Sequence, residues 1–406
     1  MRLTFDRRAV LAGTAATFAA PAIVRAQPAA LKIAVILPRS GFLAQAGQSS
    51  YRGALAAPKV LAELGYKVEI VNIDMESNAD TARTQAEKAI NEGAKVLVGA
   101  FESGATLAMA QVAEQRQVPL VVNIAAAPPI TQQGYKYTVR NFPVAGQLVT
   151  QGIKLIETLS QGTKVDFKTA VYLHANDTFG TSMRGAMDKI FPTLNMPFKM
   201  LESIAYDPKA QDLSVEVTKM RSLNPDLVMI TTRAGDAIKL VRDMVRQRFE
   251  PKAVISPGSP GLYDEEFYTA LGPLADGLIT NLPWANPKSP MTTAFEAAFK
   301  QANPNNRFAV DCFNAGYTFE ALLVAADAFK RAGTADGAPL MEAIRKTNIA
   351  EHVMTGGPIA FDEKGDNPNI RSVVIENLKR TPTVVYPAEV ASAAPVLPLP
   401  PWQGRS

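Results

Sequence analysis

Residues 31–37 read Leu-Lys-Ile-Ala-Val-Ile-Leu, and Pro38-Arg39-Ser40-Gly41 follows directly. A nearly continuous apolar run of this kind is typical of a strand buried on both faces of a parallel sheet. Proline and glycine then predict a loop, and apolar residues at helical spacing lead from it to Gly65: Tyr51, Leu55, Val60 and Leu64. The stretch therefore predicts a strand, a loop and an amphipathic helix, which together are the first unit of an α/β sheet.

The same alternation of strand and helix recurs in two runs along the chain. Strands separated by helical patterns of about 10–15 residues favour right-handed crossovers and doubly wound parallel sheets. We therefore predict an α/β protein with two doubly wound parallel-sheet lobes. The other predicted strands are residues 67–73, 96–98 and 118–122 in the first run, 169–173, 198–204, 226–230 and 253–255 in the second, and 278–281, 359–361 and 371–375 beyond it.

Residues 1–26 have the pattern of an export signal peptide. Arg7 and Arg8 precede a weakly polar stretch, and Ala26 ends it with the small residue that signal peptidase requires. The stretch is too short to span a bilayer, which needs about 20 apolar residues. We predict cleavage after Ala26 and export to the periplasm, by either the twin-arginine or the general secretory route.

The predicted signal peptide, residues 1–26, accounts for most of the net positive charge of the chain. The full sequence has 42 basic and 38 acidic residues, of which the leader holds four basic residues and one acid, so the remainder has 38 and 37 and a net charge of +1. Nucleic-acid binding calls for a basic stripe on the folded domain, and this balance gives no support for one. A membrane-surface partner is not implied either.

Few residues are available for common catalytic or metal chemistry. The single cysteine, Cys312, cannot form an internal disulfide, and His174 and His352 are the only histidines. The sequence has no G-x-G-x-x-G after the first strand, no G-x-x-x-x-G-K motif and no G-x-S-x-G elbow with a partner histidine. We therefore predict no catalytic residues, no cofactor and no metal site.

Candidate binding residues lie in the loops that follow the predicted strands, where α/β sheets bind ligands. Phe42, Phe101 and Phe179 could form the wall of an apolar pocket, and the Arg233 guanidinium could hold a carboxylate through two parallel hydrogen bonds. Two alternatives stay open. Arg233 could instead pair with a nearby surface acid, and Phe101 and Phe179 could instead pack in a core.

At this point the chain resembles the periplasmic substrate-binding proteins of ABC importers, in the branch typified by the leucine/isoleucine/valine-binding protein. The resemblance covers about residues 31–386. It implies two lobes joined by a three-stranded hinge, with crossings near Pro143, Pro283 and Gly356 and closure of the lobes on a ligand. It rests on short marks in a fixed order: Ser40-Gly41, residues 99–103, Ala127-Pro128, Thr131, Arg140, Phe179-Gly180, residues 212–214, Pro225-Asp226, residues 275–277, Tyr317, Phe361-Asp362 and Gly365.

The resemblance also suggests limits for each part of the chain. Lobe 1 would comprise residues 27–143 and 284–356, and lobe 2 residues 144–283 and 357–386. Residues 387–406, rich in proline and alanine, would be an arm on the surface of a lobe with Trp402 as a possible anchor, or a loose tail. The expected partners are a small-molecule ligand and an ABC permease in the inner membrane, and the expected state is a monomer.

The resemblance assigns roles to several positions. Ser103 matches the serine that holds the α-carboxylate in amino-acid binders, together with backbone groups of the first lobe. Ala126 stands where a threonine hydroxyl contributes, and Gly258 stands where a second-lobe acid takes the α-ammonium. Phe179 matches an aromatic residue over the ligand, while Ala46 and Arg233 replace two others. The full set of predicted ligand-binding residues is Ser40, Phe42, Ala46, Phe101, Ser103, Gly104, Ala125, Ala126, Phe179, Arg233 and Gly258.

These departures disfavour a free amino acid as the ligand, because a buried ammonium without a counter-charge is costly. An apolar pocket with one arginine suits a carboxylate that lacks an amino group. We therefore predict a solute receptor for a small organic carboxylate, with an aromatic acid as the best candidate. Branched-chain amino acids, amides and urea remain alternative ligands. A ligand sensor for a signalling partner and a secreted enzyme on a similar fold remain alternative classes.

Overall fold

The computed structural model describes residues 30–405, so the predicted signal peptide lies outside the described residues. Within this part of the chain, the first sheet has five parallel strands in the order β2-β1-β3-β4-β5. Strand β1 lies between two neighbours and buries every residue except Lys32, which explains its apolar run. The strands are β1 (Leu31–Leu37), β2 (Val68–Asp74), β3 (Val96–Gly99), β4 (Leu120–Val122) and β5 (Thr138–Arg140).

Helices cover both faces of this sheet. They are α1 (Ala44–Glu63), α2 (Ala79–Asn91), α3 (Ser103–Arg116), α9 (Pro290–Ala302), α10 (Phe308–Ala332) and α11 (Gly337–Arg345). The predicted apolar face of α1 is partly wrong, because Leu55 and Leu64 are exposed. The buried face consists mainly of small residues, and α1 approaches α10 so closely that a Cβ on Gly53 would lie 2.3 Å from the Ala315 carbonyl oxygen.

The second sheet of the described chain has seven strands in the order β12-β11-β10-β9-β8-β6-β7. Five are parallel, and β11 and β12 add an antiparallel edge that the parallel-sheet prediction did not include. The strands are β6 (Thr169–Ala175), β7 (Lys199–Tyr206), β8 (Leu227–Thr231), β9 (Ala253–Ser256), β10 (Ile279–Leu282), β11 (Val373–Asn377) and β12 (Pro382–Tyr386). Its helices are α4 (Ala145–Thr163), α5 (Thr178–Ile190), α6 (Ser214–Leu223), α7 (Ala234–Arg246) and α8 (Glu265–Leu271).

The two-lobed α/β architecture predicted from the sequence is therefore confirmed. Two strands were missed, namely β5 and β12. The strand predicted over residues 359–361 is wrong, because only Ile359 pairs there, in an isolated bridge with Ile349. Within residues 30–405, no helix is long and apolar enough to cross a membrane.

The chain passes between the two sheets three times: from β5 to α4, from β10 to α9, and from α11 to β11. A buried ion pair holds the connection from α11 to β11 against strand β5. The guanidinium of Arg140 donates to the Asp366 carboxylate at 2.8 Å, and the backbone of Arg140 pairs with residues 365–367. Burial raises the pKa of Asp366, but the charge of Arg140 and hydrogen bonds from Gln132 and Thr131 outweigh it and hold that pKa below its ordinary value.

The C-terminal arm packs on the second lobe at the amino ends of β9 and β10. Trp402 is buried, and its indole N–H donates to the Phe249 carbonyl at 2.7 Å. Arg405 stacks on the Trp402 ring at 4.2 Å and donates to the Asp276 carbonyl at 2.8 Å. Trp402 is thus an anchor, and the alternative of a loose tail is wrong for the part of the arm that the structure describes.

Candidate ligand-binding site

A cavity of about 360 Å³ lies between the two lobes, at the carboxyl ends of strands from both sheets. We call it the large cavity. Its volume falls within the range of small-molecule sites, which is about 300–1,000 Å³. The first lobe contributes Gly41, Phe42, Leu43, Ala44, Gln45, Ala46, Phe101 and Asn314, and the second contributes Arg233, Ala234, Gly235, Pro260, Tyr263, Asp264 and Glu266.

A second cavity of about 20 Å³, the small cavity, adjoins the first and shares Phe101, Arg233 and Pro260 with it. Apart from Arg233, its walls are apolar or small. A space of this size is close to that of a single water molecule, so a solute of ten heavy atoms requires the large cavity or an opening of the lobes. The remaining residues that line the small cavity are Ile124, Ala125, Ala126, Phe142, Phe179 and Gly258.

Most of the residues predicted as ligand-binding come together around these two cavities. Phe101 and Arg233 line both of them. The large cavity adds Phe42 and Ala46, and the small cavity adds Ala125, Ala126, Phe179 and Gly258.

The structure does not bring Ser40, Ser103 and Gly104 to either cavity. The Ser40 backbone is held within its own loop region, because its amide donates to Asp74 and its carbonyl accepts from the Ser77 hydroxyl at 2.6 Å. Gly104 lies where the lobes approach each other, since a Cβ there would meet Glu102 and Thr178.

The start of helix α3 already carries a carboxylate of the protein itself. Glu102 caps this helix, and its side chain accepts a hydrogen bond from the Ala105 amide at 2.7 Å. The Ser103 hydroxyl is buried and has no hydrogen-bond partner among residues 30–405. A solute carboxylate placed here would face the negative charge of Glu102. The role that the resemblance assigned to Ser103 therefore stays a prediction.

Arg233 lies at the start of helix α7 and is nearly buried. Its Nη1 atom lies 2.6 Å from Asp177 Oδ2, and its guanidinium lies 5.3 Å from the centre of the Phe179 ring. Burial alone would lower the pKa of Arg233, but the charge of Asp177 raises it, so the guanidinium stays cationic. Arg233 therefore pairs with an acid of the protein, and this pairing does not exclude a ligand role for the same guanidinium.

That pairing leaves part of the guanidinium available. Arginine has five N–H donors, and an ion pair through Nη1 does not use all of them. Asp177 is itself fixed, because its other oxygen caps helix α5 by accepting from the Gly180 amide at 2.8 Å. Asp177 therefore orients Arg233 at the edge of both cavities.

Sequence reasoning missed five polar residues of the large cavity: Gln45, Tyr263, Asp264, Glu266 and Asn314. Asp264 caps helix α8 by accepting from the Phe267 amide at 2.9 Å, and burial raises its pKa to about 7. Tyr263 and Asn314 are almost fully buried, and neither the Tyr263 hydroxyl nor Asn314 Oδ1 has a hydrogen-bond partner within the described residues. The sequence pattern could have indicated Asp264, because this residue begins an acidic run before two aromatic residues. Asn314 has no such pattern, because it lies inside a long apolar helix.

The charges around the cavities are mixed. Among the described residues that line them, Arg233 is the single cation, and Asp264 and Glu266 are the acids. Within residues 30–405, no cluster of three or more His, Cys, Asp or Glu side chains is arranged to hold a metal. His352 lies outside both cavities and pairs with the buried Glu320 at 2.9 Å, which is a structural contact.

Two α/β lobes that enclose a cavity at the carboxyl ends of their strands define a two-lobed ligand-binding protein. Residues 30–380 match the sequence model of a family described as periplasmic binding protein, and the chain belongs to that family.

Relatives agree with this assignment. The chain is 25% identical over 359 residues to the leucine-, isoleucine-, valine-, threonine- and alanine-binding protein of Pseudomonas aeruginosa. The aligned region covers 85% of this chain and 89% of that protein. Among solved structures, a leucine-binding protein from Thermotoga maritima has a TM-score of 0.74 at 24% identity and covers 87% of this chain and 97% of its own. A solute-binding protein of an ABC transporter from R. palustris, in complex with benzoate, has a TM-score of 0.73 at 24% identity, with coverage of 90% and 98%. These structural likenesses confirm the predicted type I periplasmic-binding-protein fold.

Proposed function

We propose that this protein is the solute-binding component of an ABC importer and that it captures a small organic carboxylate, with an aromatic acid as the best candidate. One observation carries the proposal: Arg233 is cationic, oriented by Asp177, and lines both cavities between the lobes. A guanidinium with free N–H groups binds a carboxylate through charge-assisted hydrogen bonds.

The walls beside Arg233 suit an aromatic ring. Phe101 lines both cavities, and Phe179 lies under the guanidinium. Ring pairs gain about 0.5–1.5 kcal/mol beyond the area they bury. The R. palustris protein of similar fold was solved with benzoate, and this supports an acid of that class here.

The family and the leader support the cellular setting of the proposal. Periplasmic binding proteins act outside the cytoplasm, and residues 1–26 have the composition of an export signal. A solute bound between the lobes would be delivered to a membrane permease after hinge closure, without chemical change.

Isothermal titration with benzoate, hydroxybenzoates and phenylpropanoates tests the proposal. We expect the Arg233→Gln variant to lose about 100-fold in affinity for the best acid, because removal of a charged partner from a desolvated pair costs about 2–5 kcal/mol. Arg242→Gln is the matched control, since Arg242 is an exposed arginine on the same helix. Equal affinities of the Arg233→Gln variant and the unmodified protein would refute the proposal.

Asp264 favours a second candidate, an amino acid. Gly258 stands at the position where the resemblance expects an acid for the α-ammonium. Asp264 instead places a carboxyl group from the second lobe in the large cavity. Titration with leucine and with its 2-oxo analogue separates the two candidates. Tighter binding of leucine, reduced by Asp264→Asn more than the binding of the oxo acid, would favour the amino acid.

A further inference from the structure

We infer that the large cavity contains a second polar subsite, formed by Asn314 and Tyr263, that binds a hydroxyl group of the solute, so that the preferred solutes are hydroxylated carboxylic acids. The inference rests on the proposed function, because it takes the solute carboxylate to lie on Arg233. It adds a requirement for a second group elsewhere on the same molecule.

Asn314 supplies an acceptor that the protein leaves unpaired. It lies on helix α10, lines the large cavity and is only 5% exposed. Its Oδ1 atom has no hydrogen-bond partner within residues 30–405. Buried polar side-chain atoms are almost always hydrogen-bonded in native proteins, so an unpaired acceptor on a residue that lines a cavity indicates a missing donor.

Tyr263 supplies a second unpaired group from the opposite lobe. It is 2% exposed, and its hydroxyl also has no partner in the described part of the chain. The ring is held edge-on to Trp284 at 4.7 Å and to Phe313 at 5.9 Å. These contacts fix the ring, so its orientation does not depend on a bound solute.

The chemistry of the two groups selects a hydroxyl. An amide oxygen only accepts a hydrogen bond, whereas a phenol donates or accepts. A solute hydroxyl bound between the two groups would donate to Asn314 Oδ1 and accept from the Tyr263 hydroxyl, and it would then satisfy both. A group that only accepts, such as a ketone or an ether, leaves Asn314 Oδ1 unpaired.

The neighbouring acid is compatible with a neutral donor as well as with the ammonium of the second candidate. Asp264 lines the same cavity, and burial raises its pKa to about 7, with the charges of Glu266 and Asp311 adding to the effect. At neutral pH a large fraction of this carboxyl group is therefore uncharged. A hydroxyl does not need a full negative charge beside it.

The subsite has a consequence for closure, because its two members come from different lobes. Asn314 belongs to the first lobe and Tyr263 to the second. A hydroxyl that bonds to both stabilises the form in which the lobes are together. The same acid without the hydroxyl loses these contacts.

Matched pairs of acids test the inference by isothermal titration. The pairs are benzoate with 4-hydroxybenzoate, and 3-phenylpropanoate with 3-(4-hydroxyphenyl)propanoate. For at least one pair, we expect the hydroxylated member to bind the unmodified protein about tenfold more tightly, the effect of roughly one well-formed hydrogen bond. In the Asn314→Ala and Tyr263→Phe variants, the ratio of the two affinities should fall to near one.

The control is Gln301→Ala, which removes an exposed amide side chain outside both cavities and should leave the ratio at about tenfold. Tyr263→Phe removes only an unpaired hydroxyl, so a circular dichroism melt should show an intact fold. Equal affinities within every pair for the unmodified protein, or an unchanged ratio in both variants, would overturn the inference while the proposed function stands. If no acid binds, or if Arg233→Gln has no effect, the proposed function fails and the inference fails with it.

Discussion

The Glu376→Gln variant should be more stable than the unmodified protein at neutral pH. Glu376 lies on strand β11 and is fully buried under the C-terminal arm. Its Oε2 atom accepts from the Val396 amide at 2.9 Å, but Oε1 has no hydrogen-bond partner within the described residues. Burial, with a smaller contribution from the charge of Asp276, raises the pKa of Glu376 from 4.5 to about 7.

The magnitude follows from this difference in pKa. Each pKa unit corresponds to about 1.4 kcal/mol, so the shift corresponds to about 3 kcal/mol of folding free energy. The folded protein binds the proton more tightly than the unfolded chain does. The contribution of Glu376 to the unfolding free energy is therefore fully retained below pH 4.5. It falls as the pH rises towards about 7 and then stays constant.

Urea denaturation of both proteins at several pH values between about 4.5 and 8 measures this effect. Glutamine keeps the acceptor for Val396 and cannot ionise, so the difference in unfolding free energy should grow by about 3 kcal/mol over this range. Glu389→Gln, an exposed position on the arm, should show no such growth. A difference between Glu376→Gln and the unmodified protein that does not vary with pH would refute the reasoning.

Two further predictions concern the arm and the hinge. Trp402→Ala removes a buried ring and its hydrogen bond to Phe249, so it should cost about 3 kcal/mol and make the arm more sensitive to limited proteolysis. Unchanged cleavage of the arm would contradict this. Asp366→Asn leaves the charge of the fully buried Arg140 without its counter-ion, and should lower the unfolding free energy at pH 7 by about 3–5 kcal/mol. A loss below about 1 kcal/mol in urea denaturation would show that other groups compensate for the missing charge.

The sequence predicted the secondary structure correctly where burial alone determines the pattern of apolar residues. Strand β1 lies between two neighbouring strands, so its apolar run is nearly continuous. The apolar face of α1 could not be read, because Gly53 faces Ala315 at a distance that only small residues allow, and this partner is more than 250 positions away. Strand β5 was missed for a similar reason, since Arg140 looks unsuitable for a buried strand until Asp366 is placed beside it.

The site shows the same limit. Loops after strands were expected to carry binding residues, and this rule led to Phe101 and Arg233, which the structure places at both cavities. The rule could not reveal that Asp177 already pairs with Arg233, or that Glu102 occupies the start of helix α3. Asn314 carries no local signal at all, because its importance arises only where a long apolar helix passes the cleft.

The pairing of Arg140 with Asp366 also bears on how the molecule moves. Arg140 ends strand β5 and Asp366 belongs to the segment that pairs with it, so a rotation of the second sheet relative to the first would leave this pairing unchanged. The torsions that change on opening would then lie in the short stretches beyond this pairing. Residues 368–372 join this paired segment to strand β11 of the second sheet, so a change in their torsions would move the second lobe while Arg140 and Asp366 stay together.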